Sequence, residues 1–113
     1  MEELRESLSA GRAGDVERVL HPRVTLVVDG GGHAPAPTEV ICDRKTVAST
    51  LLALIGPTIG STATVVSANG RPALAFARDG QVIGILTARA KRDRAADVWV
   101  VVNPDKLRHW NAA

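Results

Sequence analysis

The residues with the greatest capacity for chemistry are Asp29-Gly30-Gly31-Gly32-His33. A carboxylate and an imidazole flanking three glycines could form an acid–base dyad, because histidine titrates near neutral pH and a carboxylate can orient it. That dyad requires the glycine loop to fold both groups inward. The amides of Gly30, Gly31 and Gly32 could also cradle an anion, but the phosphate-binding version of such a loop runs straight into a helix. Here Ala34-Pro35-Ala36-Pro37 follows, so the glycines read as a turn or bulge. In that plainer reading Asp29 bonds nearby amides and His33 is an exposed loop histidine.

The other candidates carry weaker signals. His21 and His109 show no ligand spacing, and no metal or cofactor is implied. Cys42 is the only cysteine, which excludes an internal disulfide and a multi-cysteine metal site. It precedes a predicted helix but has no histidine partner, and it reads as an inert, buried cysteine. Phe76 and Trp99 lie on strands predicted to line a concave face; they could stack on a ligand, but with so few aromatics they read as core. Asn103, Asp105 and Lys106 suit the start of a short final helix, with Pro104 at its first position. The same segment could dock against the Asp29 loop and bring Lys106 near Asp29.

The elements that position these residues follow from periodicity. Leu4 and Leu8 mark a first helix over about residues 2 to 10, ended by Gly11. A second begins after Gly14 with Asp15 as its N-cap, and His21-Pro22 stops it. Val24, Leu26 and Val28 then alternate as a strand, with a short return strand over 38–41. Asp43 caps a third helix carrying Val47, Leu51, Leu52, Leu54 and Ile55, which Gly56-Pro57 ends. From Thr62 the pattern is a four-stranded antiparallel meander over 62–68, 71–78, 81–90 and 96–102. Its turns are signalled by Asn69-Gly70 and Asp79-Gly80 and by a charged tip at Lys91 to Arg94.

Composition sets the outer bounds. The chain has 113 residues, 45% of them apolar and 3% aromatic, with no tyrosine and a net charge of +2. That predicts a single α+β domain over 1–113 with an aliphatic core. Arg89, Lys91, Arg92 and Arg94 are interrupted by Asp93 and read as a solvated hairpin tip, so no direct nucleic-acid contact is expected. The charged N-terminus has no signal-peptide core, and no apolar run is long enough for a membrane span. A cytoplasmic protein with no membrane partner is the expectation.

Three segments in order resemble one family. They are Val27 to His33, Asn69 to Leu74 (Asn-Gly-Arg-Pro-Ala-Leu), and Val101 to Leu107. They look like the SnoaL-like C-terminal domain of a group of extracytoplasmic-function sigma factors, within the nuclear-transport-factor-2-like superfamily. That domain carries Asp-Gly-Gly-Gly-Lys and Asn-Pro-Asp-Lys-Leu motifs. The second is intact at Asn103 to Leu107; the first is matched from Asp29 to Gly32, with His33 where lysine is usual. The resemblance implies a cone: N-terminal helices packed on a strongly curved, mostly antiparallel sheet, with a short C-terminal helix. It implies a non-enzymatic regulatory or ligand-sensing module whose surface is made by Asp29 to His33 with Asn103, Asp105 and Lys106; Phe76 and Trp99, from the strands predicted to be concave, would line its cavity. The partner it implies is a sigma factor or RNA polymerase; the predicted cavity could take a small apolar ligand, and an exposed Val-rich sheet face could pair with a second copy in a homodimer. The sequence itself has no counterpart of a sigma factor's two helical domains.

Related folds include ketosteroid isomerases and polyketide cyclases, so a small-molecule isomerase, cyclase or hydrolase is the competing expectation. The isomerase oxyanion hole uses a tyrosine and a protonated aspartate, and this chain has no tyrosine. A dimerising scaffold with a Val-rich exposed sheet face is the third.

Overall fold

The computed structural model describes residues 2–29, 40–55, 62–68, 70–78, 80–102 and 107–108. The elements in order are α1 (Glu2–Ala10), α2 (Ala13–Val19), β1 (Leu20–Asp29), β2 (Val40–Ile41), α3 (Arg44–Ile55), β3 (Thr62–Ala68), β4 (Arg71–Arg78), β5 (Gln81–Lys91) and β6 (Arg94–Val101). The strands form one curved, unclosed sheet in the order β2-β1-β6-β5-β4-β3. β3 to β6 are the expected antiparallel meander. β1 joins it at β6 in parallel, and β2 pairs with β1 at the far edge. The α+β cone expected from the sequence is the architecture observed.

Each helix has a local cause. Gly11 closes α1, its N–H donating to the Leu8 carbonyl at a φ of 73°. α2 begins one turn earlier than expected. Arg12 is the N-cap without a side-chain cap bond, and Asp15 sits inside the first turn, bonded to Arg18. A carboxylate there still favours the positive end of the helix. Asp43 caps α3 as expected: the Thr46 backbone N–H donates to its carboxylate at 3.0 Å and the Thr46 hydroxyl at 2.7 Å.

β1 starts at Leu20, directly after α2, so His21-Pro22 ends the helix without ending regular structure. Pro22 is tolerated because the ladder with β6 is irregular there: Leu20 faces Ala95, and the next pair is Thr25 with Asp97. A proline at such an irregularity removes no required ladder bond.

The inner face of the sheet carries Val24, Leu26 and Val28 of β1, Leu74 and Phe76 of β4, Leu86 of β5, and Val98 and Val100 of β6. Leu4 and Leu8 of α1, Val16 of α2, and Val47 and Leu51 of α3 close over them. A second, smaller cluster lies on the outer face: Ala73, Ala75, Ile85 and Leu107, flanked by Val66, Ala68, Val82 and Val101. The strand alternation separates the two clusters.

Two outcomes are expected. Phe76→Ala should lower unfolding free energy by about 3–5 kcal/mol in urea titration, because it empties the largest buried side chain of the inner face. The Asp43 carboxyl is held below its ordinary pKa, first by the Thr46 hydroxyl and then by the Thr46 amide. Its contribution is therefore complete above about pH 4 and is lost as pH falls through the lowered folded value. Asp43→Asn keeps an acceptor and removes the titration. Stability matched to wild type at neutral pH, with a shallower loss in acid, is the expected denaturation profile.

Candidate functional site

The parallel pairing of β1 with β6 runs from Thr25 opposite Asp97 to Asp29 opposite Val101. It continues one step further, where the Val102 N–H donates to the Asp29 carbonyl at 2.9 Å. The chain therefore leaves two neighbouring strands at the same level, at Asp29 on one side and Val102 on the other. Asp29 is half-buried and falls on the outer-face parity of β1, since Val24, Leu26 and Val28 point inward. Gly30, Gly31, Gly32, His33, Asn103, Asp105 and Lys106 lie outside the described residues. So does most of the expected final helix, of which only Leu107 and Arg108 are described.

Leu107 is the anchor that the sequence reading passed over. It is buried against Ala73, Ala75 and Ile85 on the outer face. Its signal was an apolar residue closing an otherwise polar motif, beside three small residues on strands β3 and β4. This contact ties the C-terminal segment to the sheet a short distance from where Asp29 ends β1.

Trp99 corrects an expectation. It does not line the concave side and is not core: it is 40% exposed, between the buried Val98 and Val100. Alternation sends it outward, where its strand neighbours are Val27 on β1 and Thr87 on β5. On the same outer face the Thr25 hydroxyl bonds the Asp97 carboxylate at 3.2 Å. Phe76 behaves as expected for core, at 1% exposure within the inner cluster. Phe76 and Trp99 therefore lie on opposite faces and cannot sandwich one ligand.

Cys42 is also corrected. It is exposed, in the two-residue link between β2 and α3. Cysteine is most often buried, but this position precedes the first turn of α3, whose buried side is set by Val47, Ala48 and Leu51.

The inner face is built, among the described residues, mainly from aliphatic side chains. Among the described residues the only buried polar side chain is Ser7, whose hydroxyl donates to the Leu4 carbonyl at 2.9 Å. No buried side-chain nitrogen or oxygen there lacks a partner. Among the described residues no three His, Cys, Asp or Glu come together in a metal-binding arrangement. Two carboxyls, Glu2 beside Arg5 and Asp43 beside Thr46, are surface groups held below their ordinary pKa by those partners. A carboxyl serving as general acid or base in a dry cavity is instead pushed upward by burial.

Comparison with known proteins gives a likeness of fold. No family model and no curated protein matches the chain. Among solved structures, the extracytoplasmic function sigma factor SigJ of Mycobacterium tuberculosis superposes with a TM-score of 0.70 and 22% identity over 93% of this chain. The match spans only 41% of the SigJ chain. An uncharacterised protein with a cystatin-like fold from Silicibacter pomeroyi gives 0.65 and 16% identity, covering 94% of this chain and 74% of its own. IdmH of Streptomyces antibioticus, a proposed polyketide cyclase, gives 0.62 and 13%, covering 99% and 95%. The shared architecture is the cystatin-like cone of the nuclear-transport-factor-2-like proteins, and the sigma-factor resemblance read from the sequence has a structural counterpart in SigJ.

Leu107→Ala should destabilise the protein by about 2–3 kcal/mol, because it strips the lid from the outer cluster; thermal or urea unfolding measures it. Cys42 should react with a chromogenic thiol reagent in the native protein at close to the rate seen in denaturant, whereas a protected thiol would react only on unfolding.

Proposed function

We propose that this chain is a non-enzymatic regulatory module of the SnoaL-like kind, acting through protein contacts in the cytoplasm, with a sigma factor or RNA polymerase as its partner. The contact surface is the place where Asp29 and Val102 leave the sheet, together with the outer face beside it. The observation that carries this reading is the Val102 to Asp29 hydrogen bond. It supports a single surface built from both motif segments, which are separated by some seventy residues of chain. The likeness to SigJ gives the class of partner.

Two further features support it. The inner face is packed with aliphatic side chains where an enzyme of this fold would need a carboxylate. The outer face offers Trp99, and exposed tryptophans at interfaces frequently dominate binding energy. Among the described residues no helix is long and apolar enough to cross a membrane.

The test is affinity capture of the tagged protein from a lysate of its source, beside Trp99→Ser and Asp29→Lys variants shown to be folded by urea titration. Wild type should recover a sigma factor or RNA polymerase subunits, and each variant should recover about tenfold less. Recovery of neither, together with isomerase or cyclase turnover that Asp29→Asn abolishes, would replace this reading with the enzymatic one that IdmH suggests.

A further inference from the structure

At one end of the inner face the packing stops short and leaves a cleft of about 770 Å³. One wall is the start of α1, and the other is made by the first residues of β4, the last of β5 and the β5–β6 turn. Its floor is apolar: Leu4, Val19, Ala88 and Ala95, all part of or packed against the inner core. The alanines matter here. Ala88 and Ala95 stand where larger side chains would close the space, while deeper positions on the same strands, Leu86 and Val98, fill it.

Charge is arranged around that floor in a particular way. Arg71 and Arg94 stand on the sheet side, Glu3 on the helix side, and Asp93 at the turn. Among the described residues none of these four makes an ion pair or side-chain hydrogen bond. Glu2, also at the rim, is already neutralised by Arg5, which donates to it at 2.7 Å. The open charges are thus two cationic and two anionic. The turn that presents Asp93 and Arg94 is held in an unusual backbone. Arg92 and Asp93 have φ of 53° and 64°, where the other described hairpin turns have Gly70 and Gly80. Both central residues of this two-residue turn adopt the positive φ its twist demands, although neither is glycine.

These charges constrain the occupant. A neutral apolar molecule would strip water from four charges and return nothing. A simple anion would satisfy the guanidiniums and face two carboxylates, and a simple cation would do the reverse. We propose that this cleft binds a small zwitterionic amphiphile, its anionic group held by Arg71 and Arg94, its cationic group by Glu3 and Asp93, and its apolar body on the Leu4–Val19–Ala88–Ala95 floor. Guanidinium is suited to the first role because it presents a fork of donors to a carboxylate or phosphate. The volume lies in the range of small-ligand pockets. This site is at the other end of β6 from Val102, and it stands whether or not the partner reading does.

The experiment is calorimetric titration of the intact protein with decylphosphocholine below its micelle concentration, beside decyl phosphate, decyltrimethylammonium and decyl maltoside, which share the tail and change only the head. The zwitterion should bind tightest. Arg71→Gln/Arg94→Gln should weaken it about tenfold and shift preference toward decyltrimethylammonium, while Glu3→Gln should shift preference toward decyl phosphate. All these positions are exposed, so circular dichroism should be unchanged in every variant. Equal binding of the four heads, or binding that ignores the variants, would overturn the proposal. Phosphatidylcholine vesicles separate the sources: no co-sedimentation is expected, and binding to vesicles without binding to the monomer would also overturn it.

Discussion

The structure turns on the parallel seam between β1 and β6. Every other pairing in the meander joins strands that follow one another and needs only a tight turn. The seam joins the N-terminal half of the chain to its last strand, and it is secured both by the backbone ladder and by the Thr25–Asp97 bond across 72 residues of sequence. Without it α2 and α3 would lose the strand they cover, because both pack on β1 itself. The seam also decides where the chain exits. In this register Asp29 pairs with Val101, so Asp29 and Val102 emerge together.

That constraint divides the molecule into two faces with different duties. The inner face is where the helices bury aliphatic side chains, and its depth is taken up by packing. The outer face has small residues on β4, on which Leu107 packs, and among the described residues Trp99 on this face stays in contact with solvent. Among the described residues, the exposed Trp99 lies on the same outer face as Asp29 and Leu107. The cleft at the opposite end of the inner face is a separate matter, set by alanines and by charges that leave each other unpaired.

Much of this arrangement was legible in the residues. α1 has the bounds that Leu4, Leu8 and Gly11 imply, Asp43 caps α3 through its bonds to Thr46, and the meander follows its Asn-Gly and Asp-Gly turns. Other features were not, for identifiable reasons. Parallel pairing has no local signal, because the register of β1 against β6 is set by elements far away in sequence. The early start of β1 was hidden by Pro22, which ordinarily interrupts a strand and here sits at an irregular step of the ladder. The face of Trp99 could not be read because Val98 to Val102 is apolar on both parities, so alternation gives no inside or outside. Cys42 was assigned to the interior by residue type, while its position in a short exposed link decided otherwise. The charges of the cleft come from α1, β4 and the β5–β6 turn, and no spacing in the sequence announces that they converge.

The outermost strand has a consequence of its own. β3, Thr62–Ala68, has neither a charged residue nor a proline, and Val65 is 37% exposed. One side pairs with β4 and the other ends the sheet. Edge strands in soluble proteins are usually blunted by lysine, proline or a bulge, since an open row of backbone donors and acceptors can template another strand. Among the described residues, α1 packs beside β3. The nine-residue α1 is a neighbour on which β3 depends: conditions that loosen α1 while the meander survives leave an uncharged edge segment rich in β-branched residues, of the kind that can pair with a further strand.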